Sequence, residues 1–154
     1  CYAVFNIEKD LLAILEDNFN PIKIKSFASI LVDYTLSLNQ KNSEQILTQV
    51  NKNSFHIALI ENRKFKFYNK FHFNTTNDFL YYFMNCIQIL GADTQSICIN
   101  IISELGEKDK LFQKLEEYIR ISFLDLPKTF LYSNQIMEHA SHNNHILFSQ
   151  LICE

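Results

Sequence analysis

The stretch VNKNSFHIALIENRKFKFYNKFHF, residues 50–73, decides how the rest of the chain is read. Phe55 to Glu61 is apolar enough for a buried strand, and Glu61-Asn62-Arg63-Lys64 has the composition of a turn. Phe65, Phe67, Phe71 and Phe73 follow in alternation, which places the odd-numbered aromatics on one face of a further strand. Asn69 interrupts that alternation and is expected to mark a bulge. Upstream, Gln45 to Asn51 reads as a first strand, joined to the second at Lys52-Asn53-Ser54. Three strands in a meander result.

The meander runs into TTNDFLYYFMNCIQIL, residues 75–90, which changes period from two to helical. Thr75 with Asp78 three residues on approximates a capping box, and Phe79, Phe83, Cys86, Ile87 and Leu90 form the apolar stripe. Gly91 is the natural stop. Ser96 to Ile102 suits a buried central strand, Lys108 to Tyr118 a helix with Leu111, Leu115 and Tyr118 inward, and Ile121 to Leu124 a short buried strand. Asn143 to Cys153 reads as a last helix, with Ile146, Leu147, Leu151 and Ile152 apolar.

Ahead of the meander, Tyr2 to Ile7 alternates like a strand and Lys9 to Asp17 has helical spacing. After Pro21, Ile22, Ile24 and Phe27 suggest a short strand, and Ala28 to Leu38 a second helix. The polar run Asn39 to Glu44 is the expected boundary.

From residue 45 the order is βββαβαβα, the ribonuclease-H-like arrangement: an α/β fold with a mixed sheet and flanking helices. Residues 1–44 then read as the C-terminal part of a first such unit, and residues 45–154 as the second. Two units in tandem make the actin-like fold. Since CYAVFNIEKD opens within a strand pattern, the chain is expected to be a piece of a longer protein.

The segment HIALIENRKFKFYNKFHFNTTNDFLYYFMNCIQIL also carries a resemblance. Asn69 and Phe71 on the aromatic strand, Thr75 and Asp78 leading into Phe79-Leu80-Tyr81-Tyr82, and Gly106 ahead of Glu117-Tyr118-Ile119-Arg120 resemble the domain-of-unknown-function family 3822, mainly from Bacteroidetes. That resemblance implies an actin-like ATPase fold in a longer protein, and no known substrate. Actin-like ATPases hold phosphate on an Asp-x-Gly turn between the first two strands of each unit. The matching turn here is Val50-Asn51-Lys52-Asn53-Ser54, with neither residue. Where that fold places a Gly-Gly pair, this chain has Ser103-Glu104-Leu105-Gly106. The resemblance therefore marks Asn51, Lys52, Asn53, Ser54 and Gly106 as positions of a degenerate nucleotide site. ATP and Mg²⁺ find no supporting motif, so no cofactor is expected.

Composition narrows the alternatives. With 47% hydrophobic residues and a net charge of −3, the chain can build a core and lacks the basic balance of a dedicated nucleic-acid binder. No apolar run reaches the roughly 18 residues of a membrane span. Cys1, Cys86, Cys98 and Cys153 are scattered in apolar settings, the usage of buried reduced thiols in a cytoplasmic protein. Only Gly91 and Gly106 occur, too few to cradle a phosphate on backbone amides.

Candidate chemistry is sparse. A ribonuclease-H-type nuclease needs an acid on its first strand, and residues 45–53 hold none; Asp78, Glu104 and Asp125 are dispersed. His139, His142 and His145 spread rather than converge on a helix, so with Cys153 they make a poor zinc set. His56 and His72 read as hydrogen-bonded or surface histidines, and Cys86 as inert packing. Tyr81, Tyr82 and the strand phenylalanines, ringed by Lys52, Arg63, Lys64, Lys66 and Lys70, raise a platform for single-stranded nucleic acid, although a half-buried strand explains them more simply. No catalytic residue and no metal ligand is assigned. The expectation is a cytoplasmic protein that binds an unknown protein partner on a degenerate nucleotide-binding scaffold. The alternative is an ATPase whose phosphate loop lies outside this chain.

Overall fold

The computed structural model describes residues 4–19, 21–38, 44–133 and 145–151. Strand β1 (Gln45–Val50) turns into β2 (Ser54–Glu61), and β2 into β3 (Lys64–His72). Helix α3 (Thr76–Leu90), β4 (Cys98–Ser103), α4 (Lys110–Glu116) and β5 (Arg120–Phe123) complete the unit. Helices α1 (Lys9–Asn18) and α2 (Phe27–Leu38) precede it, and α5 (His145–Ser149) follows.

The five strands form one sheet in the order β3-β2-β1-β4-β5. β1 pairs antiparallel with β2, from Gln45 opposite Ile60 to Val50 opposite Phe55, and parallel with β4. β5 pairs parallel with β4. This mixed order is the one expected of a ribonuclease-H-like unit.

Both faces of the sheet are covered, which is why β2 is buried almost end to end. One face, with Ile46, Val50, Phe55, Ile57, Ile99 and Ile101, packs on Phe79, Phe83 and Ile87 of α3 and Leu111, Phe112 and Leu115 of α4. On the other, Leu47, Ala58 and Ile102 pack on Leu31 and Tyr34 of α2, with Ile146 of α5 against them.

Local chemistry explains the ends of the elements. The Thr75 hydroxyl accepts the Asp78 N–H at 3.1 Å and the Asp78 carboxylate accepts the Thr75 N–H at 3.0 Å, so the expected capping box starts α3. Gly91 ends it at φ 70, a left-handed backbone that glycine takes without strain. The β2–β3 turn uses positive φ at Asn62 and Arg63, as a tight hairpin matched to strand twist requires.

The structure departs from expectation in several places. Residues 4–8 and 22–26 form no strand. A strand needs a neighbour to hydrogen bond, and the Ser26 hydroxyl instead accepts the Ser29 N–H at 3.1 Å and opens α2. The bulge lies not at Asn69, which pairs in register with Ile57, but at Lys66, where Leu59 opposes Phe67 and Ile60 opposes Phe65. That one-residue slip turns Phe65 away from the face holding Phe67 and Phe71, and leaves it 39% exposed.

Tyr118 is exposed because α4 ends at Glu116 and the following turn swings Ile119 inward; Phe112 fills the expected place. β5 is a half-buried edge rather than a buried strand. Leu147 and Leu151 are exposed, while His145 and Ser149 are the buried residues of α5. Cys98 is also exposed, against the expectation of a buried thiol. Cys1, Tyr2, the run 39–43, His139, Ser141, His142, Asn143, Ile152 and Cys153 lie outside the described residues.

Candidate functional site

Parallel neighbours place their C-terminal ends on one edge of a sheet, and ligands of open α/β sheets bind there. Here β1 and β4 end together, Val50 beside Ser103. The expected positions Asn51–Ser54 therefore meet the loop Ser103–Gly106, two segments far apart in the chain.

The turn is built from its own polar groups. Asn51 N–H donates to the Ser54 carbonyl at 2.8 Å, and the Gln49 amide donates to Asn51 Oδ1 at 2.8 Å. Phe73 N–H donates to the Asn53 carbonyl at 3.0 Å, so the end of β3 steadies the turn. Among the described residues, positive φ at non-glycine positions is confined to Asn62 and Arg63, so this turn forms without the left-handed backbone that would call for glycine.

The β4 loop is tied to the turn at three points. The Ser103 hydroxyl, fully buried, donates to the Val50 carbonyl at 3.1 Å and accepts Leu105 N–H at 2.9 Å. Glu104 N–H donates to the same Val50 carbonyl at 3.2 Å. The Glu104 carboxylate accepts the Lys52 backbone N–H at 2.5 Å. Glu104 counts among the dispersed acids of the sequence and also lies in the segment matched to the Gly-Gly pair. What joins it to the turn is the β1–β4 register, for which a glutamate directly after a central strand was the available signal.

Gly106 stands apart from this network. Its carbonyl accepts Asp109 N–H at 2.9 Å ahead of α4, where the Asp109 carboxylate caps Leu111 N–H. A Cβ placed on Gly106 would meet nothing within 4 Å, and its backbone is not left-handed. Gly106→Ala is accordingly expected to raise stability by about 0.4–1 kcal/mol through the unfolded chain alone. Urea denaturation checks this.

The remaining candidates resolve into structure. Asp78 belongs to the capping box and Asp125 is exposed. Burial pushes the Cys86 thiol up to about 11, the condition of a packing residue rather than a nucleophile. His56 Nδ1 lies 2.7 Å from the Tyr68 hydroxyl, with the Phe27 ring 4.5 Å away between α2 and the sheet. Burial first, then the positive charges of Lys70 and His72, lower its pKa to about 4. His145 is buried edge-on against Tyr34. Among the described residues, no three His, Cys, Asp or Glu side chains are grouped to hold a metal, and no helix is long and apolar enough to cross a membrane.

The aromatic strand divides as its register dictates. Phe67 and Phe71 rest against the core, and Phe71 lies between Phe55 (5.0 Å, 22°) and Tyr82 (6.0 Å, 16°). Tyr81 is 68% and Tyr82 39% exposed.

Comparison with known proteins places this geometry in context. The family model described as protein of unknown function (DUF3822) matches residues 1–121. A solved structure from Bacteroides thetaiotaomicron, a protein with actin-like ATPase fold and unknown function, superposes with a TM-score of 0.75 at 20% identity. The match covers 96% of this chain and 52% of that one, so the chain spans about half of its length. No curated protein matches.

Proposed function

The chain belongs to the DUF3822 family of proteins of unknown function, and from that premise we propose that it is a cytoplasmic binding protein for another macromolecule. In this reading an actin-like fold has been kept as a scaffold while its nucleotide site has degenerated. The same reading makes residues 1–44 the C-terminal part of a first ribonuclease-H-like unit, with its helix α2 packed on the sheet of the second, residues 45–154.

The observation that carries the reading is the contact between Lys52 N–H and the Glu104 carboxylate. A phosphate-binding turn offers free backbone N–H groups to an anion and an acid to position Mg²⁺ or water. This turn presents Asn51, Lys52, Asn53 and Ser54, with no acid, and one of its amides is engaged by a carboxylate from the same chain. An incoming phosphate would compete with that carboxylate and meet its like charge. These residues do not fit Mg²⁺–ATP.

Isothermal titration with Mg²⁺–ATP tests the reading. No heat is expected up to millimolar nucleotide, from the wild-type protein or from Glu104→Ala. Micromolar binding by the wild type would mean a working nucleotide site. Micromolar binding by Glu104→Ala alone would mean a blocked site rather than a lost one. Either result overturns the proposal.

A further inference from the structure

The geometry points to the outer edge of β3 as the docking strand for an extended segment of a partner protein in which acidic and apolar residues alternate. This rests on the binding-protein reading and names the partner chemistry. β3 closes one side of the sheet, and among the described residues no strand pairs with its outer edge. Its ladder to β2 engages alternate residues, and the Lys70 backbone N–H donates instead to its own neighbour, Asn69 Oδ1, at 2.8 Å. Lys70 and Asn69 are both exposed. An added strand therefore needs to displace one side-chain amide to reach a main-chain donor.

The two faces flanking that edge differ in chemistry. Phe71 and the exposed Tyr81 and Tyr82 make an aromatic ledge on the α3 side. Lys70 and His72, one residue out of phase with Phe71, stand on the opposite side. A strand laid along the edge puts successive side chains on alternate faces, so an apolar residue meets the ledge while its neighbour, an acid, meets Lys70.

Charge selects among the possible occupants. β3 carries Lys64, Lys66 and Lys70 and no acid, and Lys66 is bonded to Glu61 at 2.7 Å. A second copy pairing through the same edge would set lysines against lysines, the arrangement by which edge strands resist self-association. An acidic strand faces no such penalty. A nucleic acid would want open aromatic faces for stacking, but the Phe71 ring is already flanked by Phe55 and Tyr82, and the two tyrosines meet edge-on at 68°.

Fluorescence anisotropy with a labelled peptide of alternating glutamate and valine, titrated with the protein, tests the proposal. Its control is an isomer of the same composition with the glutamates and valines in two blocks. The alternating peptide is expected to bind at least about tenfold more tightly than the block isomer. Lys70→Glu is expected to weaken it by at least about tenfold, with thermal unfolding unchanged. Lys70→Pro removes the central outward donor, together with the lysine charge, without touching the β2 ladder and is expected to weaken binding more than Lys70→Glu does. Equal binding of the two isomers, no binding of either, or tighter binding of an oligothymidylate would each overturn the inference. Since the nucleotide titration is independent of β3, a silent titration beside a failed peptide assay sinks this inference alone, and micromolar ATP binding sinks the reading beneath it.

Discussion

Phe55→Ala is expected to destabilise the protein by about 3–5 kcal/mol, a large share of the roughly 5–15 kcal/mol that holds an ordinary domain together. Phe55 is fully buried, with the rings of Phe71 (5.0 Å), Phe73 (6.3 Å), Phe79 (5.0 Å) and Phe83 (5.9 Å) around it. It joins β3 to α3 through aromatic contacts on both sides. Deleting the ring leaves a cavity whose walls belong to two different elements, so neither can collapse into it alone. The companion substitution is Phe65→Ala, expected to cost less, about 1–2 kcal/mol, because that ring is 39% exposed and loses only part of a buried side chain's transfer energy. Urea midpoints of the two variants, compared with the wild type, read the difference directly. Equal costs would contradict the register slip at Lys66.

Acid is expected to weaken the fold through His56. Its folded-state pKa, about 4, lies below the ordinary histidine value of 6.5, because burial and the neighbouring charges of Lys70 and His72 disfavour the protonated ring. The unfolded chain takes up a proton near pH 6.5 that the folded chain refuses. Stability from this residue is therefore full above pH 6.5, falls as the pH drops toward 4, and levels off below it. The loss amounts to at most about 3.5 kcal/mol, since each tenfold change in proton affinity is worth about 1.4 kcal/mol. Urea unfolding measured across pH 7 to 4 checks this, with His56→Gln expected to flatten that limb by removing the titrating group. An unchanged slope in the variant would assign the acid loss to other groups.

Legibility in the sequence followed locality. The turns of the meander, α3 with its Thr75–Asp78 box and the stop at Gly91 are set by residues close in sequence, and the run that became β4 is apolar enough to be read from composition, though its partners are not. The bulge was not readable, because Asn69 broke the pattern of residue types while Lys66, ordinary in composition, is where the two strands differ in length. The extended stretch around Ile22 and Ile24 showed strand-like alternation, but a strand also needs a neighbour, which no local pattern reports. The candidate site divides the same way. The turn Asn51–Ser54 is a local feature and could be placed; its contact with Glu104 depends on β1 and β4 lying parallel, and became visible only with the sheet assembled.

That parallel pairing also bears on how the chain reaches its native state. β1, β2 and β3 are joined by tight turns at Lys52-Asn53 and Asn62-Arg63, so their ladders close short loops at little entropic cost. The pairing of Val50 with Ser103 closes a loop that contains two strands and a helix. Until β4 arrives, the open edge of β1 is a row of unpaired amides beside Ile46 and Leu47, which are fully buried in the finished sheet. The docking of β4 is therefore expected to come after the meander in folding, and a sheet still lacking it would present that edge to another chain.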